Sequence, residues 1–373
     1  MMWYYTPEVQ QALRTLAVIG WFWWFWLFIF LLPLALVVWL MYVREYFRDT
    51  RFNWVILELL IPLELRRSPR AMEQVLQTMY TLANAGSTPE EIWWDGEVTM
   101  WFCFEIVSFG GEIHFYLRVP KTHRTIIESA IYATYQDVEI REIRDDYIHR
   151  FPRTYTELLS QGKELFGSEL KLVKHDAYPI RSYMDFETSP QEEQQLDPVA
   201  ALLEFLAKVK PEEHIWVQML VRPSIDDSWK RECEQELKRL KEATGRRQTE
   251  STSGIIWIER TPGETDTMKA IERNMSKPGF ETIIRFIAIG QKGNFDVTYA
   301  ERGVLAALNQ YGSEGWNKFG HNNLVRTRSS MWYFPYLFPR KRLARKKRRI
   351  YQYYRMRHMP EVDSIFSLLF KIP

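Results

Sequence analysis

The 373-residue chain has little cysteine: only Cys103 and Cys233 are present. Two cysteines cannot build the disulfide framework of a small secreted domain, and neither lies in a C-x-x-C pair or a Cys/His cluster that would bind zinc. The seven histidines are scattered and form no H-E-x-x-H motif. The sequence therefore favours a reducing compartment and predicts no metal site.

A phosphate-binding loop is also missing. No G-x-x-x-x-G-K-[ST] occurs, and the glycine-rich pieces near Gly290 and Gly312 lack the spacing that wraps backbone N–H groups around phosphates. The paired acids Asp226 and Asp227 precede a predicted helix, where capping explains them better than acid–base chemistry. We therefore expect no ATP hydrolysis, no catalytic residue and no cofactor.

Charged residues are absent between Arg14 and Arg44, which leaves an apolar run of 28 residues, Leu16–Val43. A bilayer requires about 20 residues, so the run predicts one transmembrane helix. A cleaved signal peptide is the alternative, but the N-terminus has only one basic residue, the apolar run is longer than that of a typical signal peptide, and no A-x-A site follows it. Because Arg44, Arg48 and Arg51 follow the run, we expect the bulk of the chain in the cytoplasm.

Alternating strands and amphipathic helices follow the apolar run. "VTMWFCFEIV" and "EIHFYLRVP" alternate apolar and polar residues on either side of Gly110-Gly111, which predicts a hairpin, and a helix and a strand come next. A second series of strands and helices follows, so we predict an α+β fold with a single N-terminal transmembrane helix, two ferredoxin-like α/β sandwich units and a basic helical tail. The predicted organisation is a short extracytoplasmic N-terminus (1–15), the transmembrane helix (16–43), a juxtamembrane helical segment (44–96), the first ferredoxin-like unit (97–165), the second (166–330) and an aromatic and basic C-terminal tail (331–373).

Acidic residues are missing from the C-terminal part of the chain. From Trp316 to Pro360 there are thirteen basic residues and no acid. Because the whole chain has a net charge of +2, the rest of the chain has a net charge of 2 − 13 = −11. The stretch "FPRKRLARKKRRIYQYYRMRHMP" contains ten of these cations, and Leu343, Ile350 and Tyr354 give it an apolar edge at helical spacing. We predict a cationic helix that binds nucleic acid or anionic lipid, unless the run is a solvated surface feature. The candidate binding residues are Arg340, Lys341, Arg342, Arg345, Lys346, Lys347, Arg348, Arg349, Arg355 and Arg357.

Three phrases carry a family resemblance: "PLELRRSPRAMEQVL", "IHFYLRVPKTHRTIIESAIYATYQDVEI" and "AIERNMSKPGFETIIRFIAIG". They resemble the region that precedes the motor domain in membrane-associated ATPases of type IV secretion and conjugative DNA transfer, the HerA/FtsK-like group. "VDSIFSLLFKIP" resembles the segment that leads into the nucleotide-binding core of those proteins. The resemblance covers roughly residues 55–373 and implies a stand-alone accessory region that works with a separately encoded ATPase.

Two functions are compatible with these features. The first is a non-enzymatic, membrane-anchored component of a type IV secretion or conjugation-like apparatus for DNA or protein translocation, which docks the separately encoded HerA/FtsK-like ATPase. The second is a nucleic-acid-binding protein that is tethered to the inner membrane and uses its basic tail. The expected partners are the ATPase and the inner membrane, and DNA and further copies of the chain are candidates.

Overall fold

The structure is a computed structural model in which residues 7–21, 23–62, 69–83, 88–186, 198–224, 228–245, 248–250, 256–258, 261–313, 315–328, 338–360 and 369–372 are described. The chain forms two compact units. Unit 1 comprises residues 1–52 and 85–98, and unit 2 comprises residues 53–84 and 99–373.

Unit 1 is built on two N-terminal helices, α1 (Pro7–Trp21) and α2 (Trp23–Arg51). The stretch Leu27–Arg51 is long and apolar enough to cross a membrane by its length and composition. Pro33 lies inside α2, a position that spanning helices tolerate. A short π-helical turn, Glu91–Asp95, completes the described part of this unit.

Unit 2 contains the remaining regular elements. Its helices are α3 (Arg70–Thr81), α4 (Arg124–Thr134), α5 (Tyr155–Ser160), α6 (Pro198–Ala207), α7 (Ser228–Gly245), α8 (Pro262–Met275), α9 (Val297–Leu308) and α10 (Pro339–Met356). Its strands are β1 (Trp54–Leu60), β2 (Phe102–Phe109), β3 (Glu112–Pro120), β4 (Glu139–Ile143), β5 (Lys163–Leu172), β6 (His214–Pro223), β7 (Gln248–Glu250), β8 (Ile256–Ile258), β9 (Phe280–Gln291), β10 (Phe319–His321) and β11 (Phe370–Ile372).

Nine of these strands form one large antiparallel sheet in the order β10-β5-β9-β6-β2-β3-β1-β4, and β11 also pairs with β9. The sheet has two halves with equivalent connections. In the first half the order β2-β3-β1-β4 is joined by α3 and α4, and in the second half the order β6-β9-β5-β10 is joined by α6 and α9. The halves meet where β2 pairs with β6, from Phe102↔Val221 to Phe109↔His214. Helices α7 and α8 and the β7–β8 hairpin are inserted between β6 and β9.

The predicted hairpin is present, and its turn is formed by Gly110 and Gly111 between β2 and β3. Both glycines have positive φ, 60° and 96°, which glycine adopts without the Cβ penalty of other residues. A Cβ on Gly110 would lie 2.7 Å from the carbonyl oxygen of Pro211. The turn therefore requires glycine both for its backbone conformation and for its close approach to the chain before β6.

The two faces of the sheet are covered by different elements. On one face, Leu202 and Leu206 of α6 and Val304 of α9 pack with Phe166 and Phe286 of the strands. On the other face, α10 packs together with α5 and the chain that precedes it. The buried residues of α10 there are Ile350, Tyr351 and Tyr354, and they cluster with Tyr147, Phe151, Trp216 and Ile287.

The C-terminal basic segment is therefore not a tail. α10 covers the sheet, and a Cβ on Gly167 of β5 would approach the Cδ1 of Ile350 to 2.9 Å. The predicted apolar edge explains why: Ile350 and Tyr354 are buried and Leu343 is half-buried. Beyond α10, β11 adds to the sheet beside β9. The predicted aromatic stretch at 331–337 lies outside the described residues.

The structure also divides residues 44–96 differently from the predicted juxtamembrane helical segment. α2 continues to Arg51, and β1 then enters the sheet between β3 and β4. The apolar run of β1 is buried through Val55, Ile56 and Leu57. The first half of the sheet consequently begins at residue 54 rather than at 97.

Candidate functional site

The ten predicted binding residues lie on or just after α10, where burial separates them into three groups. Four are exposed, namely Arg340, Lys341, Arg345 and Arg348. Five are half-buried, namely Arg342, Lys346, Lys347, Arg349 and Arg355. Arg357 is buried, with only 3 % of its surface exposed. One helix thus presents cations to solvent between its start and its middle and is followed, after its end, by another cation inside the protein.

Three of the half-buried cations attach α10 to the body. The Lys346 Nζ donates to the carbonyl oxygens of Asn323, at 2.9 Å, and Arg326, at 3.3 Å. Lys347 pairs with Glu164 of β5. The Arg355 Nη1 donates to the carbonyl oxygen of Ile148 at 2.8 Å. These side chains hold α10 against the rest of unit 2. They are therefore less available to an external ligand.

Burial and charge also shift the pKa values of these groups. Burial, with the charges of Arg342 and Arg326, lowers the pKa of Lys346. For Glu164, burial acts to raise the pKa, but the hydrogen bond and the charge of Lys347 outweigh it and hold the pKa below its ordinary value. The hydrogen bond and the charge of Lys347 therefore favour the charged form of Glu164.

Arg357 ends α10 in the left-handed conformation, with φ at 48°. Helices usually place glycine at such a position, because other residues adopt it at a cost of about 1–2 kcal/mol. The guanidinium group faces two carboxylates. It donates to Glu105 at 2.8 and 2.9 Å and to Asp146 at 2.5 and 3.1 Å. These charge-assisted bonds offset the backbone cost.

Beneath the end of α10, four buried polar side chains lie side by side on adjacent strands. This polar row consists of Glu105 on β2, Gln218 on β6, Arg285 on β9 and Glu169 on β5, which are paired directly in register. Each has at most 1 % of its surface exposed. The Gln218 Nε2 donates to Glu105 at 2.7 Å, and the Arg285 Nη2 donates to Glu169 at 2.7 Å. Neighbouring side chains of the row are thus hydrogen-bonded to each other across the strands.

The polar row is bonded directly to α10. The Arg285 Nη1 donates to the carbonyl oxygen of Tyr353 at 3.1 Å and to that of His358 at 3.3 Å. The last carbonyls of a helix lack intrahelical donors and carry partial negative charge, so a buried arginine stabilises them. Arg285 therefore caps the C-terminal end of α10 while it pairs with Glu169.

Tyrosine and cysteine side chains complete the surroundings of Glu105. The Tyr147 hydroxyl donates to Glu105 at 3.0 Å and lies 3.1 Å from the hydroxyl of Tyr354. The Cys103 thiol also donates to Glu105, at 3.3 Å. Burial, followed by the charge of Glu105, raises the pKa of Cys103 and that of Tyr147 well above their ordinary values. The thiol and the phenol are therefore kept protonated, as donors to the carboxylate.

The arrangement is suited to holding α10 on the sheet. Glu105 accepts hydrogen bonds from Cys103, Tyr147, Gln218 and Arg357. In the parts of the chain that the structure describes, no group of three or more His, Cys, Asp or Glu residues is placed to hold a metal ion. The exposed cations Arg340, Lys341, Arg345 and Arg348 are the part of the predicted site that remains accessible.

The polar row and Asp146 are not among the residues predicted from the sequence. A signal was present: Glu105 and Arg285 are single charged residues inside the apolar runs "WFCFEIV" and "TIIRFIAIG". Charged residues are almost never fully buried unless they are paired, so an isolated charge within a buried strand predicts a buried partner. The partner of Glu105 lies 252 residues away along the chain, which no local pattern can reveal.

Residues 65–300, more than half of the chain, match a family model described as "Domain of unknown function (DUF8128)". No curated protein matches the chain. The matched segment contains all four residues of the polar row together with Asp146, whereas α10 and its cations lie beyond it.

Proposed function

The chain belongs to the DUF8128 family, and from that premise we propose that it is a membrane-anchored, non-enzymatic component of a type IV secretion or conjugation-like apparatus. It docks a separately encoded HerA/FtsK-like motor ATPase that moves DNA or protein. The resemblance of the three quoted sequence phrases to the region before such motors supports this proposal.

The anchor in this proposal is α2. Its stretch Leu27–Arg51 is apolar and exposed along most of its length, as expected for a lipid-facing helix. Arg44, Arg48 and Arg51 at its C-terminal end favour the cytoplasmic side for that end. We place the chain in the cytoplasmic membrane as a single-pass protein, with unit 2 in the cytoplasm.

The docking body is unit 2. Each half of its sheet is built in the order strand, helix, strand, strand, helix, strand, with all neighbouring strands antiparallel, and this is the order of a ferredoxin-like unit. We propose two such units, joined through β2 and β6, with the first beginning at β1 rather than at residue 97. The observation that carries the proposal is the combination of this double body with a helix of membrane-spanning length.

A co-purification experiment tests the docking. The full chain is solubilised in mild detergent, and a HerA/FtsK-like ATPase encoded near it is expected to co-purify at a fixed stoichiometry. The matched control replaces the four exposed cations Arg340, Lys341, Arg345 and Arg348 with glutamine. Docking through the body predicts that the complex survives this change. Absence of the ATPase from both preparations would contradict the proposal.

The exposed start of α10 favours a second candidate function, the binding of nucleic acid by a membrane-tethered protein. Within the part of the chain that the structure describes, Arg340, Lys341, Arg345 and Arg348 have no carboxylate partner. Phosphate contacts by such side chains give a log–log salt dependence with a slope of about −0.9 per contact on duplex DNA. Titration of duplex DNA at several salt concentrations is expected to show this slope, and the glutamine variant is expected to lose it.

A further inference from the structure

Residues 88–98 fold back along the C-terminal part of α2, within unit 1. The Trp39 indole Nε1 donates to the carbonyl oxygen of Trp93 at 2.9 Å, and the rings of Trp39 and Trp94 lie 5.8 Å apart. Gly96 ends the π-helical turn with φ at 66°, and a Cβ there would lie 2.7 Å from the backbone of Val43. The turn is therefore packed against α2 at backbone distance.

The C-terminal part of α2 and residues 88–98 together present a group of exposed aromatic side chains, which we name the aromatic collar. Large exposed aromatics grouped on one surface mark an interaction site more often than chance exposure does. Val43, beside the collar, has only 6 % of its surface exposed because the turn covers it. The members and their exposed fractions are Trp39 (41 %), Tyr42 (67 %), Tyr46 (61 %), Trp93 (46 %) and Trp94 (71 %).

The position of the collar along α2 matches the boundary of a bilayer. The charge-free run ends at Val43, and Arg44 is the first charged residue after it. At about 1.5 Å per residue, Trp39 lies about 7.5 Å from Arg44 along the helix axis, on the side of the charge-free run. The polar layer on each side of the hydrocarbon core is roughly 5–8 Å thick. The collar therefore extends across the depth at which indole and phenol rings are enriched in membrane proteins.

The charges around the collar sum to −3. Residues 44–51 of α2 contain Arg44, Arg48 and Arg51 together with Glu45 and Asp49, and residues 88–98 contribute Glu90, Glu91, Asp95 and Glu97. Glu91 also accepts a hydrogen bond from the backbone N–H of Thr88 at 3.0 Å. A net negative charge gives no net attraction to anionic lipid. The aromatic rings, rather than the charges, are consequently the groups that would interact with the headgroup layer.

We propose that the π-helical turn is a second membrane contact, in which Trp93 and Trp94 lie in the headgroup layer beside the C-terminal end of α2. The proposal rests on the anchoring role of α2 given above. It assigns to residues 88–97 the task of fixing the depth and the rotation of the anchor. The ligand is the interface of a zwitterionic bilayer.

Depth-dependent fluorescence quenching tests the proposal on the full chain in phosphatidylcholine vesicles. A single new cysteine, Asp95→Cys, carries an NBD fluorophore beside the two intact tryptophans, and Cys103 and Cys233 are buried. We expect strong quenching by a lipid with a shallow nitroxide and weak quenching by aqueous iodide. The same label in a Trp93→Ala/Trp94→Ala background is expected to show the reverse. Added phosphatidylserine is expected to leave both results unchanged.

Two further labels separate this inference from the proposed anchor. Leu32→Cys, near the middle of the charge-free run, is expected to be quenched by a deep nitroxide. Tyr132→Cys, at an exposed position on α4, is expected to be quenched by iodide. Iodide quenching at position 95 with lipid quenching at position 32 would contradict the membrane contact of the collar but would still support α2 as the anchor. Iodide quenching at both positions would overturn both. Lipid quenching at position 132 as strong as at position 95 would also contradict a specific role for the collar.

Discussion

The two ends of α10 place the same residue type in opposite surroundings. In the N-terminal part of the helix, up to its middle, Arg340, Arg345 and Arg348 are exposed. After its end, Arg357 is 3 % exposed and is held by Glu105 and Asp146. A run of like charges in a sequence therefore does not define one function: the exposed end can meet a ligand, whereas the buried end determines whether the helix stays on the sheet.

The largest expected effect comes from breaking the buried end. Arg357→Met leaves Glu105 buried without its main counter-charge, and removing one partner of a buried pair costs about 3–5 kcal/mol. Urea unfolding of the detergent-solubilised chain measures the loss. The exposed Arg340→Met is the matched control and is expected to change the free energy of unfolding by less than about 0.5 kcal/mol. Equal effects of the two changes would contradict the comparison.

Acid pH is also expected to destabilise the contacts at the buried end of α10. Burial acts to raise the pKa of Asp146, but the hydrogen bond and the charge of Arg357 outweigh it, so the pKa is lowered from 3.8. A lowered acid pKa contributes stability that is fully present above pH 3.8 and is lost as the pH falls through the folded-state value. The free energy of unfolding, measured between pH 2 and 6, should decrease less on acidification in Asp146→Asn than in the wild type. The variant is nevertheless expected to be less stable than the wild type at pH 6.

A smaller effect is expected from the tyrosine pair at the buried end. Tyr354→Phe removes the hydroxyl that lies 3.1 Å from that of Tyr147, while Tyr147 can still donate to Glu105. The loss of one neutral hydrogen bond costs about 1 kcal/mol. A decrease as large as that of Arg357→Met, measured by the same urea unfolding, would mean that the ion pairs are not the dominant contacts of this end.

The smallest effect on folding is expected at the exposed end. Replacing Arg340, Lys341, Arg345 and Arg348 with glutamine removes four cations that have solvent around them, and exposed charges contribute about 0–1 kcal/mol each. Unfolding should be nearly unchanged. Binding to vesicles that contain phosphatidylserine is expected to weaken, because each cation near an anionic surface contributes about 1 kcal/mol. A sedimentation assay at low salt measures this loss.

The sequence was sufficient to predict the α+β class, the apolar N-terminal helix and most elements of the sheet. The hairpin at Gly110-Gly111 and the helix at Arg124–Thr134 follow from local periodicity and turn residues, which act over a few positions. The apolar pattern of β5 is weaker, because Gly167, Ser168 and Glu169 interrupt it.

The candidate site could be predicted only in part, for a physical reason. Its chemistry follows from composition, since ten cations in a helical stretch are visible in the sequence. Their separation into exposed and buried groups depends on tertiary contacts, such as that between Tyr351 and Pro152 at 2.6 Å. Such contacts join segments that are distant along the chain, and a charge pattern does not encode which cation meets a buried carboxylate.

The pairing of Glu105 with Arg357 also has a consequence for synthesis on the ribosome. Glu105 is made 252 residues before Arg357, an interval of roughly 10–50 s at typical translation rates of about 5–20 residues per second. During this interval the carboxylates of β2 and β5 lack the helix that covers them. We expect nascent chains stalled before α10 to be cleaved by protease within the sheet, and chains that include α10 to resist, so that the sheet becomes protease-resistant only once α10 has been made.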